Sequence, residues 1–385
     1  MMVTTAPPGP TLPLRSLLPR SFLSLSLLSL SLLSLSLLGC ATETRRLASD
    51  RPPLDCTDPI VLGEGLSEVS VDDIIASGSQ TLVAWTDGAR RYFRLVDGDG
   101  SLQGEGSPLP HVRMFRADVA SEPSGGFRVA FQNHQRLGAW RVFTSRFAGV
   151  DEPMNWDEAV DLSAGMEESI RPILVRRGEE WAVAYWYGFG VGLSIFGDDA
   201  QVRQRSTFAE GAQNAWVRAV VPTQSGYALV LQRGFASQQL ETYRLDADGG
   251  VATRGPDFEA WDGKLVRDGL RLFVAADAGL SMVGLDATGR VVSSRALDER
   301  PLRGLEVEAT PTGYAVGART TEGASFVLWL DSEGTILGES SLLASEAGFD
   351  APTLFWTNGA LTVGYTDERV SGQTAYLTTC SPPSG

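Results

Sequence analysis

Apolar and small residues alternate in short bursts along most of this chain, and the bursts recur at a nearly even interval. Seven of them match one another: 81–85 (TLVAW), 127–131 (FRVAF), 181–185 (WAVAY), 227–231 (YALVL), 270–274 (LRLFV), 314–318 (YAVGA) and 361–365 (LTVGY). Their central residues are 46, 54, 46, 43, 44 and 47 positions apart. A period of two within each burst, with Val, Tyr, Phe and Trp prominent, predicts β-strands. A second alternating run follows each after a short loop, at 91–96, 139–147, 191–196, 240–245, 280–285, 325–330 and 374–379. No helical period appears beyond residue 40.

Several of the second runs enter one kind of turn. Leu245-Asp246-Ala247-Asp248-Gly249, Leu285-Asp286-Ala287-Thr288-Gly289 and Leu330-Asp331-Ser332-Glu333-Gly334 share Leu-Asp-x-x-Gly, and Val96-Asp97-Gly98-Asp99-Gly100 is a variant. An Asp side chain can bond its own turn backbone and Gly can take positive φ, so this is hairpin chemistry. The repeated acids are therefore read as structural. A calcium loop needs more carboxylates per turn than these supply. Short strands after the turns, as at 290–294 and 335–339, complete four antiparallel strands in units of about 45 residues, the size of a propeller blade. The last unit stops at Cys380 without a fourth strand, whereas the extra segment 59–63 (PIVLG) precedes the first unit. Pairing these ends would close the ring and cover its edges. The sequence thus predicts an all-β fold, a seven-bladed β-propeller over residues 55–385, with six or eight blades as the other possible counts.

The first 39 residues follow a different pattern. Residues 1–20 hold Arg15 and Arg20 and no acid, residues 21–38 are Ser, Leu and one Phe, and Gly39-Cys40 follow. This is the layout of a cleavable export signal; a signal anchor is the rival, since 18 apolar residues approach a membrane span. Leu37-Leu38-Gly39-Cys40 resembles the lipobox of bacterial lipoproteins. The resemblance implies removal of 1–39, lipidation of Cys40 and stable anchoring through several acyl chains. By resemblance to the sorting rule of Gram-negative lipoproteins, Ala41 implies the outer membrane. Residues 40–54, with Pro52 and Pro53, read as a flexible tether. Cys56 and Cys380 then remain as an even pair in an exported chain, which predicts a disulfide at the seam of the ring.

The chain has 47 acidic and 32 basic residues, a net charge of −15, and loss of Arg15 and Arg20 takes it to −17. That balance argues against nucleic acid as a partner. The two histidines, His111 and His134, and the absence of HExxH leave no zinc set, and neither a GxSxG elbow nor a P-loop occurs. No metal and no cofactor is expected. Gly188-Phe189-Gly190-Val191-Gly192 is read as a hairpin loop, with no helix to follow it. The turns lack the Asp-box of sialidases, although Arg116, Arg171 and Arg218 recur near the start of the first strand of units 2, 3 and 4.

The lipobox and the blade repeats together resemble the bacterial β-propeller lipoproteins of unassigned role, over nearly all of the chain beyond Cys40. Ligands of propellers usually meet the loops between second and third strands. Those loops nominate Asp87, His134, Trp186, Tyr187, Phe189, Arg233, Arg319 and Asp367 as candidate binding residues, the aromatic trio of unit 3 foremost. The expected function is a non-enzymatic binding or scaffold propeller, with a protein or glycan partner, anchored to the membrane. The alternative is a carbohydrate-active or other hydrolytic propeller with acids and arginines converging at the axis. Nothing in the sequence supports a homo-oligomer.

Overall fold

Each of the seven matching bursts becomes the second strand of a four-stranded antiparallel sheet. The computed structural model describes residues 51–383 except 66–68, 79, 88–89, 98–100, 109–113, 135–138, 148–157, 167, 212–214, 235–237, 267–268, 343–350 and 368–372. Cys40 and the signal lie outside the described residues. Blade 1 is built from Val69–Ser77, Gln80–Asp87, Arg90–Val96 and Leu102–Pro108. Blade 2 has Met114–Ser121, Phe127–His134, Trp140–Phe147 and a short Val160–Asp161. Blade 3 has Ser169–Arg177, Glu180–Tyr187, Gly190–Phe196 and Val202–Phe208. Blade 4 has Ala215–Thr223, Gly226–Arg233, Gln239–Asp246 and Val251–Glu259. Blade 5 has Asp262–Leu265, Arg271–Ala276, Gly279–Leu285 and Val291–Asp298. Blade 6 has Leu302–Thr310, Gly313–Thr320, Ser325–Asp331 and Ile336–Ser341.

Blade 7 supplies three strands, Thr353–Thr357, Ala360–Asp367 and Gln373–Ser381. Its fourth comes from the other end of the chain. Asp55–Cys56 and Ile60–Gly65 both pair antiparallel with Gln373–Ser381, in the register Cys56↔Cys380, Ile60↔Leu377 and Gly65↔Gln373. The Cys56 and Cys380 sulfurs are bonded at 2.11 Å. First strands touch in cyclic order, and that of blade 7 returns to that of blade 1. The ring therefore closes with seven blades, through the segment and the cysteines that the sequence nominated.

Alternation sends each blade's apolar residues to two faces, and each face packs on a neighbouring blade. Seven buried clusters result, one per interface. Between blades 2 and 3 lie Val142, Trp181, Tyr185 and Phe196; between blades 3 and 4 lie Trp186, Leu193, Tyr227 and Leu229; between blades 7 and 1 lie Leu377, Val71, Ile74 and Trp85. A buried Leu or Phe contributes about 1.5–3 kcal/mol, so an unfilled interface would be costly; among the described residues each of the seven carries a buried cluster.

The Leu-Asp-x-x-Gly turns join third to fourth strands as hairpins. Asp246 Oδ1 accepts from the N–H groups of Asp248 and Gly250, at 3.0 and 2.8 Å. Asp286 does the same with Thr288 and Arg290, and Asp331 with Glu333 and Thr335. Gly249, Gly289 and Gly334 take φ of 78°, 86° and 82°. Each carboxylate is spent on its own turn, as the hairpin reading requires.

The ring also recruits chain earlier than the boundary expected at residue 55. Pro53 bridges in parallel to Glu339 on the outer strand of blade 6, and Leu54 is buried against Trp329 and its cluster. Arg51 reaches Asp298 at 2.7 Å and Glu339 at 2.8 Å. Residues 51–54 are thus bound to the fold; the rest of the expected tether, 40–50, lies outside the described residues.

Candidate functional site at the mouth of the central channel

The innermost strand of each blade is its first, so these seven strands decide what the central channel presents. Register places one residue of each opposite the fourth position of the matching burst. The pairs are Asp73↔Ala84, Asp118↔Ala130, Ile173↔Ala184, Ala219↔Val230, Lys264↔Phe273, Glu306↔Gly317 and Thr353↔Gly364. One tier of the channel therefore carries Asp, Asp, Ile, Ala, Lys, Glu and Thr in ring order. Two acids stand on blades 1 and 2, and a cation and an acid stand across from them on blades 5 and 6.

The acids on blades 1 and 2 act as one group. Asp73 and Asp118 hydrogen-bond each other through their side chains. Each also holds the next inner strand: Val119 N–H donates to Asp73 Oδ2 at 2.7 Å, and Leu174 N–H donates to Asp118 Oδ2. Asp262 repeats the device on Leu305 N–H at 3.1 Å. Burial pushes the Asp73 carboxyl well up, and the neighbouring Asp118 adds to it. Burial likewise takes Asp118 to about 6, against backbone hydrogen bonding from Leu174 that pulls it down. Both carboxyls of this adjacent pair are thus held above the ordinary carboxylate range.

On the far side, Lys264 Nζ meets Glu306 Oε2 at 2.7 Å. Burial works to lower the lysine, and the attraction of Glu306 and Asp262 outweighs it, so Lys264 stays charged. Both side chains are enclosed by the ring yet keep 23% and 33% exposure, which marks the wall of a solvated channel. Charges on Lys264 and Glu306 are felt at Asp118 across the opening.

A testable consequence follows from the sign of the Asp118 shift. The folded state holds a proton that the unfolded chain releases near pH 4, so this group's contribution makes stability fall as pH rises from about 4 to about 6. Asp118→Asn removes that term. The variant should be more stable than wild type at pH 7.5, by on the order of 1–3 kcal/mol, and show no gain at pH 4. Urea unfolding at the two pH values checks it.

Above the tier, toward the loops between second and third strands, the inner strands bulge. Register shifts fall between Val71 and Asp73, Met114 and Ala117, Ile170 and Ile173, Val217 and Ala219, and Leu302 and Gly304. The bulged stretches hold Asp72, Arg116, Arg171, Arg218 and Arg303. A bulge frees a residue from the ladder and re-aims its side chain. Arg171 has φ of 58°, and its N–H donates to Gln132 Oε1 of blade 2 at 2.7 Å. Its guanidinium carbon lies 3.3 Å from the centroid of the Trp216 ring, with that of Arg218 at 5.0 Å from the same ring. Arg218 Nε donates to Gln232 Oε1 at 2.8 Å and stands 3.7 Å from Asp262. Arg303, exposed, lies 5.5 Å from the Trp261 ring.

The residues nominated from the loops fare differently. Trp186 is buried at 9%, because its strand runs to Tyr187 and alternation carries Ala182, Ala184 and Trp186 onto blade 4. It belongs to the core and corrects the expectation of an aromatic platform. Tyr187 is half-buried, and only Phe189 of the trio is open, at 55%. His134 is exposed and meets Trp140 edge-on at 4.9 Å. Arg233 is bonded to the buried Glu241, which also takes Arg254 and the Tyr243 hydroxyl. Arg319 and Asp367 are buried at 6% and 3%, so neither offers a surface. Asp87 ends its strand, and its side chain lies outside the described residues. The loop residues do not converge; the inner strands do. Asp73, Asp118, Lys264 and Glu306 are not among the residues the loops nominate, although counting back from the aligned bursts brings them into one column.

Among the described residues no group of three or more His, Cys, Asp or Glu side chains is placed to hold a metal, and no helix is long and apolar enough to cross a membrane. The chain is a seven-bladed β-propeller whose channel is lined by a mixed ring of charge. Many solved structures resemble it, among them two propellers. The WD40 domain of coronin from Toxoplasma gondii superposes with a TM-score of 0.55 at 8% identity, over 87% of this chain and 90% of that one. The Dos1 propeller gives a TM-score of 0.48 at 13% identity, over 80% and 78%. At 8% identity the likeness to the coronin domain is one of fold. No family model and no curated protein sequence matches.

Proposed function

We propose that the protein is an exported, lipid-anchored binding propeller of the cell envelope, held at the outer membrane through Cys40, whose protein or glycan partner engages the mouth of the central channel. The lipobox-like Leu37–Cys40 and the seam disulfide support export. The observation that carries the choice of site is the convergence of Asp73, Asp118, Lys264, Glu306 and Arg218, from five blades, on one channel. A scaffold used only by its outer rim has no need of charge there, and function in such folds lies in the site rather than the disc.

The test uses the full chain. Mass spectrometry of the membrane fraction should show a lipidated Cys40 at the new N-terminus; an intact residue 1–39 segment would sink the lipid anchor in favour of a signal anchor. Glycan-array and envelope pull-down binding should be saturable and should fall at least tenfold on Lys264→Met with Glu306→Gln. Binding indifferent to those substitutions would remove the partner from the channel.

A second reading, hydrolysis in the funnel, is favoured by one observation, the hydrogen-bonded Asp73–Asp118 pair with both carboxyls raised. Turnover of chromogenic glycosides lost in Asp118→Asn would replace the binding reading with that one.

A further inference from the structure

We infer that the central channel takes the terminal residue of a neutral glycan, an uncharged ring with hydroxyls at its edge and C–H groups on its faces; this deepens the binding reading above and rests on it. Successive residues of a strand point to opposite sides. On the inner strands one parity supplies a buried residue to each of the seven interface clusters, as Ile74, Leu174, Val220 and Leu354 do. The other parity carries the charged tier, and there Asp73, Asp118, Ile173, Lys264, Glu306 and Thr353 are only half-buried. In the innermost strand of a closed ring, surface that is kept is kept toward the lumen.

Two residues farther along, on that same side, stands a second tier, paired with the second residue of each burst. Ile75, Ala120, Val175, Val221 and Phe355 lie opposite Leu82, Arg128, Ala182, Ala228 and Thr362, and Val266 N–H donates to the Arg271 carbonyl. Glu308, opposite Ala315, is the one polar member. Ile75, Val175, Val221 and Phe355 lean on the clusters between blades and still keep part of their surface open. The lumen thus has an apolar collar directly beneath the charged tier. One step beyond it, Ser77, Thr223, Thr310 and Thr357 make the wall polar again. Two residues of strand make the collar about 7 Å deep. An acyl chain would run on from so shallow a band into the polar tier, whereas one sugar ring sets its C–H faces against the collar and its hydroxyls against the polar walls on either side.

The charges above the collar are already matched. Lys264 Nζ meets Glu306 at 2.7 Å, Arg218 donates to Gln232 and stands 3.7 Å from Asp262, and Asp73 and Asp118 hydrogen-bond each other. A charged guest would draw one member away and leave the other uncompensated inside the ring, which is costly. A hydroxyl donates and accepts at once, so it can join Lys264 and Glu306 without parting them. The choice of base fits this. Lys264 is the one lysine among the 32 lysines and arginines of the chain. A compact ammonium, rather than the planar fork that matches carboxylate or phosphate, therefore stands where a base enters the tier.

Calorimetric titration of the full chain with maltotetraose, cellotetraose, N-acetylchitotetraose, the acidic trigalacturonate and the peptide acetyl-Gly-Leu-Gly-amide tests this. At least one neutral tetrasaccharide should bind saturably, at least tenfold more tightly than trigalacturonate or the peptide, with an affinity that salt leaves unchanged. Phe355→Ala and Val221→Asn should each weaken it tenfold or more with the melting midpoint kept. Should either fail to fold, the single lysine gives a readout on the unaltered chain: acetylation of Lys264, followed by peptide mass spectrometry, should slow at least threefold under saturating tetrasaccharide. Tighter binding of trigalacturonate, collar variants that bind as wild type does, or a bound tetrasaccharide that leaves Lys264 acetylation unchanged would overturn the inference, as would no binding by any tetrasaccharide. If in that last case the peptide or an envelope protein binds and is lost in the Lys264→Met, Glu306→Gln variant, the glycan class fails and the channel-binding reading stands. If that partner too is indifferent, both fall.

Discussion

Breaking the Cys56–Cys380 bond should lower the stability of the ring by on the order of 5 kcal/mol. The two cysteines are 324 positions apart, so the cross-link removes one of the longest loop-closure entropies the chain could offer its unfolded state. The seam is also where the fold is most exposed to failure. Blade 7 obtains its outer strand from Asp55–Cys56 and Ile60–Gly65, and those pairings must be found across the whole chain. Urea unfolding of oxidised protein against a Cys56→Ser, Cys380→Ser variant measures the effect. A midpoint that does not move would mean that strand pairing alone holds the ring shut.

Arg300→Ala should cost about 3–5 kcal/mol at pH 7. Asp298 and Glu339 are 2% exposed and lie on neighbouring blades. Arg300 bridges them, with Nε to Asp298 Oδ1 and Nη1 to Glu339 Oε1, both at 2.8 Å, and Arg51 binds the same two acids from the N-terminal side. Removing Arg300 leaves two buried carboxylates to one partly exposed arginine. Burial tends to raise the Asp298 carboxyl, and the hydrogen bonds from Arg300 and Arg51 overcome it and hold it below its ordinary value. That stabilisation is present above about pH 4 and disappears as pH falls through the lowered folded value. The gap between wild type and Arg300→Ala should therefore hold from pH 7 to about pH 4 and narrow as pH falls from there to 3 and below. Thermal unfolding across that range checks both size and sign; a gap that stays constant would mean the loss is one of packing on Phe326, which Arg300 covers at 3.7 Å.

The fold was legible because each blade must solve the same problem. TLVAW and its six counterparts each bury two faces, so their pattern repeats, and Leu-Asp-x-x-Gly repeats because one turn geometry admits few residues. The closing strand could be read from a missing piece at one end and a surplus piece at the other. The site was less legible. Loops between second and third strands attract notice through unusual residues, and Trp186 and Arg319 were unusual for a different reason. Trp186 continues an alternating strand onto blade 4, and Arg319 does not reach the surface. Meanwhile Asp73, Lys264 and Glu306 look ordinary among many charges, and only the register that stacks seven inner strands brings them to one level. The arginines of the first strands were visible as a recurrence at 116, 171 and 218; the bulges that aim them were not, since a bulge is an accident of pairing between two strands.

The way the N-terminal segment enters the ring also decides how the molecule bears load. A pull arriving from residue 50 first meets Arg51 between blades 5 and 6, then the backbone bridge of Pro53 to Glu339, then the covalent link to the strand that ends the chain. Tension is thus passed to three blades and to both chain ends together. Peeling the blades one at a time, the weak mode of an open array, is unavailable until the ring itself gives way.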